Sequence, residues 1–93
     1  MTNDEKIDLY LRALYEWGAD AQTLMVFEEM SELQKELCKY IRGRDNVENI
    51  ADEIADVIIM LEQMMVLFAC EQLVKERKEY KLERLKKRLC GEL

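Results

Sequence analysis

The chain has 93 residues, 20 acids against 14 bases, a formal net charge of -6 and no histidine, which makes residues 1–93 a single domain. Without histidine there is no Ser-His-Asp or Cys-His nucleophilic machinery, no HExxH zinc site and no imidazole base. The acidic balance argues against nucleic acid as the main partner.

Apolar residues make up 49% of the chain and charged residues 37%, while the mean hydropathy is only -0.32. Apolar side chains are therefore segregated onto faces. With no proline and three glycines, the chain reads as all-α, an antiparallel bundle of about four helices. Faces this apolar on so few helices imply that part of the core lies between subunits, so a homodimer or homotetramer is expected to complete the bundle.

The first helix opens at Thr2, with Glu5 three residues on as a capping box, and runs to about Trp17 before Gly18 ends it. Ile7, Tyr10 or Leu11, Leu14 and Trp17 share its apolar face. Asp20 is positioned to cap a second helix that continues to about Arg42, where Gly43 stops it. Its apolar stripe is Val26, Leu33, Leu37 and Tyr40. A short polar connection follows, in which Asp45 or Asn46 caps the third helix and Glu48 favours its first turn. That helix has a stripe of Ile50, Val57, Leu61, Met64 and Phe68. Neither glycine nor proline occurs between Val47 and Cys90, yet a single helix of that length is unusual in a small domain. The apolar pattern thins after Phe68, and a turn is expected around Ala69 to Glu71. A fourth helix carries Leu82, Leu85 and Leu89 beside Lys81, Arg84 and Arg88 and ends at Gly91.

Two helices carry the same acidic hexamer. Glu28-Glu29-Met30-Ser31-Glu32-Leu33 is matched, acid for acid and apolar for apolar, by Asp52-Glu53-Ile54-Ala55-Asp56-Val57. Within each copy the acids Glu29 and Glu32, or Glu53 and Asp56, are three residues apart and neighbour each other on one helix face. A lone pair of this kind reads as solvated surface. Here, however, Glu29 lies at the edge of its stripe, one turn from Val26 and Leu33, and Glu53 lies one turn from Ile50 and Val57 with the same hand of offset. Helices joined by a short loop pack antiparallel, and equal offsets then fall on one side of the interface. All four carboxylates are expected to converge, and four negative charges in one place call for protonation, outward rotation or cations. An all-oxygen set suits Mg²⁺, with Mn²⁺ as an alternative.

Residues 1–70 hold 15 acids and 6 bases, residues 71–93 hold 5 acids and 8 bases. The basic last helix is either a solvated face or a contact for anionic phosphate oxygens. Cys38, Cys70 and Cys90 are odd in number without CxxC spacing, which fits a reducing cytoplasm and neither a disulfide framework nor a zinc site. The polar start Met1-Thr2-Asn3-Asp4-Glu5 is not a signal peptide. The run Val57 to Cys70 contains Glu62 and Gln63 and is too short for a bilayer, so no membrane partner is expected.

The three glycines lie too far apart for a phosphate loop, which leaves carboxylate-held metal chemistry, with a nucleotide polyphosphate as the natural substrate class. Glu29-x-x-Glu32, a gap of twenty residues and Glu53-x-x-Asp56 resemble the signature of the MazG-like all-α nucleoside triphosphate pyrophosphohydrolases. Trp17-Gly18, Gln22, Tyr40-x-Arg42-Gly43, Asn49-Ile50 and Lys81-Leu82-x-Arg84-Leu85 agree, so the resemblance spans nearly everything from Trp17 onward. It implies Mg²⁺-dependent cleavage of an NTP or dNTP between the α and β phosphates, giving a nucleoside monophosphate and pyrophosphate. Glu29, Glu32, Glu53 and Asp56 would be the metal ligands and catalytic acids, and Lys81 and Arg84 the phosphate contacts. Asn49 would touch ribose, base or a metal-bound water, or simply serve the helix entry. Trp17 and Tyr40 would stack a base or pack a core. Phosphoribosyl-ATP pyrophosphatase and dimeric dUTPase activities belong to the same superfamily. A non-catalytic helical dimer that binds partners or senses nucleotides is the reading from another class.

Overall fold

A computed structural model describes residues 1–91, which form α1 (Asn3–Trp17), α2 (Ala19–Ile41), α3 (Val47–Leu67) and α4 (Glu71–Leu89), with no strand among the described residues. No helix among these residues is long and apolar enough to cross a membrane.

Local chemistry accounts for most of the boundaries. The Glu5 N–H donates to Thr2 Oγ1 at 3.1 Å, which satisfies one free donor at the start of α1. Gly18, at φ 91°, donates its N–H to Leu14 and accepts from the Gln22 N–H, so one residue both ends α1 and starts α2. Asp20 therefore does not cap: the chain turns at Gly18 and Asp20 is already inside the first turn of α2. At the other end of α2, Gly43 takes φ 94°, its N–H reaching Tyr40 O and that of Arg44 reaching Lys39 O. This is a Schellman ending, in which a left-handed residue lets two N–H groups turn back onto free carbonyls. The same motif ends α3, where Ala69 and Cys70 donate to Val66 O and Met65 O. Ala69 takes the left-handed position at φ 50°. The expected break between the last two helices is thus made without glycine.

Helices α2 and α3 form the antiparallel hairpin that dominates the packing, and α1 lies across both. Tyr10, Val26 and Met60 are the buried apolar residues of this three-helix body, with Gln22 and Gln63 buried beside them. Ile7, Leu14, Leu33, Ile50, Val57 and Met64 are half-buried, as their stripes predict. Leu11, Trp17, Leu37, Tyr40, Leu61 and Phe68, expected on the same apolar faces, are exposed instead. Trp17, Tyr40 and Phe68 lie at or next to helix ends. Leu11 and Leu61 face outward, where no further layer lies among the described residues. The last helix, α4, packs only against α3 among the described residues.

Candidate metal centre

The hairpin geometry carries the site. With α2 and α3 antiparallel, Glu29 on the first helix of the hairpin lies opposite Glu53 and Asp56 on the second, and one carboxylate oxygen from each lies within 4.8 Å of the others. Glu29 and Glu53 are half-buried and Asp56 is exposed.

The carboxyls of Glu29 and Glu53 are both held above the usual carboxylate range. For Glu29 the leading cause is desolvation, followed by the negative charges of Asp56, Glu53, Glu28 and Glu32. For Glu53 it is again desolvation, followed by Asp56, Glu32, Glu36 and Asp52. Every charge that acts on either group is thus another acid. Glu32 belongs to this field although it stays exposed and outside the three-oxygen group. Three of the four signature acids are brought together, and the fourth stands beside them.

The donor set fits a hard divalent cation. Oxygens on opposite sides of Mg²⁺ are about 4.2 Å apart, given bonds of about 2.1 Å. At most one pair among three ligands can be opposite and adjacent ones are about 3.0 Å apart, so oxygens already within 4.8 Å would draw closer by side-chain rotation to share one ion. All are carboxylate oxygens, with neither thiolate nor imidazole in the group, which favours Mg²⁺ or Mn²⁺ over softer metals.

A polar clamp that the sequence pattern did not reveal holds the hairpin closed beyond this cluster. The Asn46 side-chain amide donates to Glu36 O and to Glu36 Oε2, both at 2.9 Å. Lys39 Nζ donates to Glu36 Oε1 at 3.4 Å. The Asn46 hydrogen bond is the main cause that holds the Glu36 carboxyl below its ordinary value, desolvation opposing it and Lys39 helping. Asn46 does stand at the N-cap of α3, but its side chain makes no cap bond there. Glu36 lies seven residues after Glu29, two turns along the same face, and that spacing is the one signal in the sequence that could have found it.

The substrate contacts expected from the sequence are dispersed over the structure. Asn49 is exposed in the first turn of α3, one turn before Glu53. Trp17 is 64% exposed at the end of α1, and Glu29 lies ten residues into α2, about 15 Å along the helix from its start. Lys81 and Arg84 lie on α4, which contacts neither α1 nor α2. None of these bases contributes to the field at Glu29 or Glu53.

Comparison of the chain with protein-family models, curated proteins and solved structures found no match. The chemistry open to the site therefore follows from its own groups: three carboxylates from two helices that could hold a cation, with the Glu32 carboxylate beside them.

Proposed function

We propose that the chain is a Mg²⁺-dependent nucleoside triphosphate pyrophosphohydrolase, acting on an NTP or dNTP. The observation that carries this reading is the meeting of Glu29, Glu53 and Asp56 oxygens from two helices within 4.8 Å. The repeated ExxE/ExxD pattern and its MazG-like spacing support it.

Glu29, Glu53 and Asp56 would hold the metal. When bound, the ion supplies charge neutralisation on the polyphosphate and acidifies water. Glu32, outside the three-oxygen group, is free to accept the proton of the attacking water at its carboxylate. Water adds across the anhydride between the α and β phosphates, the bridging P–O bond breaks, and nucleoside monophosphate and pyrophosphate leave. Asn49, on the same side of α3 as Glu53, contacts the sugar, base or ion-bound water. Lys81 and Arg84 serve phosphate oxygens and Trp17 a base. Since these three stand apart from the acids in one protomer, the working species is a homodimer or homotetramer. Three free cysteines support a cytoplasmic setting.

The test is pyrophosphate release with Mg²⁺ across a panel of ordinary, deoxy and damaged nucleotides, including dUTP and phosphoribosyl-ATP. Turnover on at least one member, lost in Glu53→Gln and in chelator, supports the reading. Absence of metal-dependent turnover on every member overturns it in favour of a non-catalytic helical protein. Turnover confined to dUTP or phosphoribosyl-ATP would narrow it to those activities.

A further inference from the structure

The protomer exposes more surface than its mass accounts for. Its accessible surface is 7587 Å², whereas a folded monomer of 11.1 kDa presents roughly 5,700 Å². The excess is about 1,900 Å², and covering it on two copies would bury about 3,800 Å², within the roughly 2,000–5,000 Å² of obligate homodimers. The radius of gyration, 16.3 Å, likewise exceeds the roughly 12 Å of a compact chain this long.

Much of that excess lies on α4. Of its 19 residues all but Arg84 are exposed, and among the described residues α3 is the one helix it touches. Most of the stability of a protein helix comes from packing its apolar face, and α4 packs little of its own. Leu73, Val74, Leu82 and Leu85 nevertheless lie on a single side of it, with Lys78 and Lys81 among them. Whatever covers this face must be apolar and carry negative charge.

The body of the same chain has both properties. On α3 and its C-cap, Ile54, Ile58, Leu61 and Phe68 are exposed, and with half-buried Met65 they follow alternating steps of four and three residues, the spacing of a helix-to-helix seam. Residues 1–70 hold 15 acids against 6 bases, whereas α4 holds 8 bases against 4 acids. Lengths match as well, about 28 Å for α4 and about 31 Å for α3. We infer that the Leu73 to Leu85 face of α4 is covered by the outer α3 stripe of a second copy of this chain, each protomer covering the other about a two-fold axis. This deepens the oligomeric part of the function proposed above and rests on none of its nucleotide chemistry.

Light scattering and hydrogen exchange on the full chain test it. The parent at about 50 µM is expected to have twice the monomer mass, since association depends on concentration. Leu82→Asp and, on the facing stripe, Ile58→Asp should each give a monomer that keeps its helical circular dichroism. Lys78→Glu with Lys81→Glu, which alters only exposed positions, should weaken association at least about tenfold by placing acid against acid. In the parent, α4 amides should exchange at least about tenfold more slowly at high concentration than when diluted to monomer. A parent that stays monomeric overturns both the oligomer and this surface. A dimeric parent whose α4 amides gain no protection, or whose charge-reversed variant associates as tightly, overturns the surface alone, even if the aspartate variants fail to fold.

Discussion

Glu29 on α2 and Glu53 on α3 present carboxylate oxygens within 4.8 Å of each other, and each is pushed toward its neutral form by desolvation and then by surrounding acids. When both are ionised, such a pair opposes folding unless a cation lies between its members. Glu29→Gln and Glu53→Gln should therefore leave the metal-free protein as stable as the parent or more so, while nucleotide turnover disappears. Mg²⁺ at a hundredfold excess over Kd stabilises a native state by about 2.7 kcal/mol, which in a domain this size raises Tm on the order of 10 °C. Thermal melts with and without Mg²⁺ should show that rise in the parent and lose it in either variant. Large destabilisation of the metal-free variants would instead mark these acids as structural partners.

The same two carboxyls set a pH dependence. A carboxyl raised above 4.5 in the folded state binds its proton more tightly there than in the unfolded chain. Its favourable contribution is complete below 4.5 and is lost as pH rises through the raised values. In chelator, the parent's Tm relative to Glu53→Gln should therefore increase as pH falls from neutrality toward 4.5. Glu36 has the opposite sign, since its lowered carboxyl stabilises above 4.5 and is lost only as pH falls further. An identical pH profile for parent and variant would exclude the coupling.

Tyr10 anchors α1 to the hairpin by donating its hydroxyl to Glu62 Oε1 at 2.6 Å, with Lys6 Nζ 3.5 Å from Glu62 Oε2. Burial, this hydrogen bond and the Glu62 charge push the phenol up to about 12 from 10.0. Tyr10→Phe should cost about 1–2 kcal/mol, the low end for a bond to a charged acceptor because water reaches Glu62. Denaturant melts at neutral pH measure that cost. Since the folded phenol holds its proton more tightly, its contribution is complete below pH 10 and is lost as pH rises through about 12. The gap between parent and variant should narrow over that interval.

Gln63 is only 4% exposed, and its side-chain oxygen has no hydrogen-bond partner among the described residues. An unsatisfied buried carbonyl costs about 1–3 kcal/mol. Gln63→Leu, similar in volume, should raise the midpoint of chemical unfolding by the equivalent of about 1–2 kcal/mol. A fall would mean that the amide makes a contact worth more than its desolvation.

Several of these features were legible in the sequence, and the reasons differ from residue to residue. Thr2, Gly18 and Gly43 act on their own turns, so their roles could be read from a few neighbours. The convergence of Glu29, Glu53 and Asp56 was legible because the duplicated hexamer gives both helices the same offset, and an antiparallel hairpin turns that offset into proximity. The two-fold likeness is not complete: α3 presents both of its acids to the contact, whereas α2 presents Glu29 and leaves Glu32 beside it. The tie between Asn46 and Glu36 crosses a loop, and a cap signal masked it, since the same amide can serve either end. Periodicity marked the apolar stripes but not their partners. Leu61 and Phe68 keep their positions on the stripe of α3 while remaining exposed, because spacing marks an apolar face and does not supply the layer that covers it.

Ala69 offers a last test, on the joint that aims α4. It occupies the left-handed position of a Schellman ending at φ 50°, as Gly43 does at the end of α2. A side chain costs roughly 1–2 kcal/mol in that conformation. Glycine removes the penalty and returns part of the gain, about 0.5–1 kcal/mol, through the greater freedom of the unfolded chain. The methyl group is exposed, so its removal leaves no cavity. Ala69→Gly should therefore stabilise by up to about 1 kcal/mol, a rise of several degrees in Tm. Helical circular dichroism should not change, because the two returning hydrogen bonds from Ala69 and Cys70 are made by backbone alone. A lower Tm would mean that the freedom gained in the unfolded chain outweighs the strain relieved at this joint.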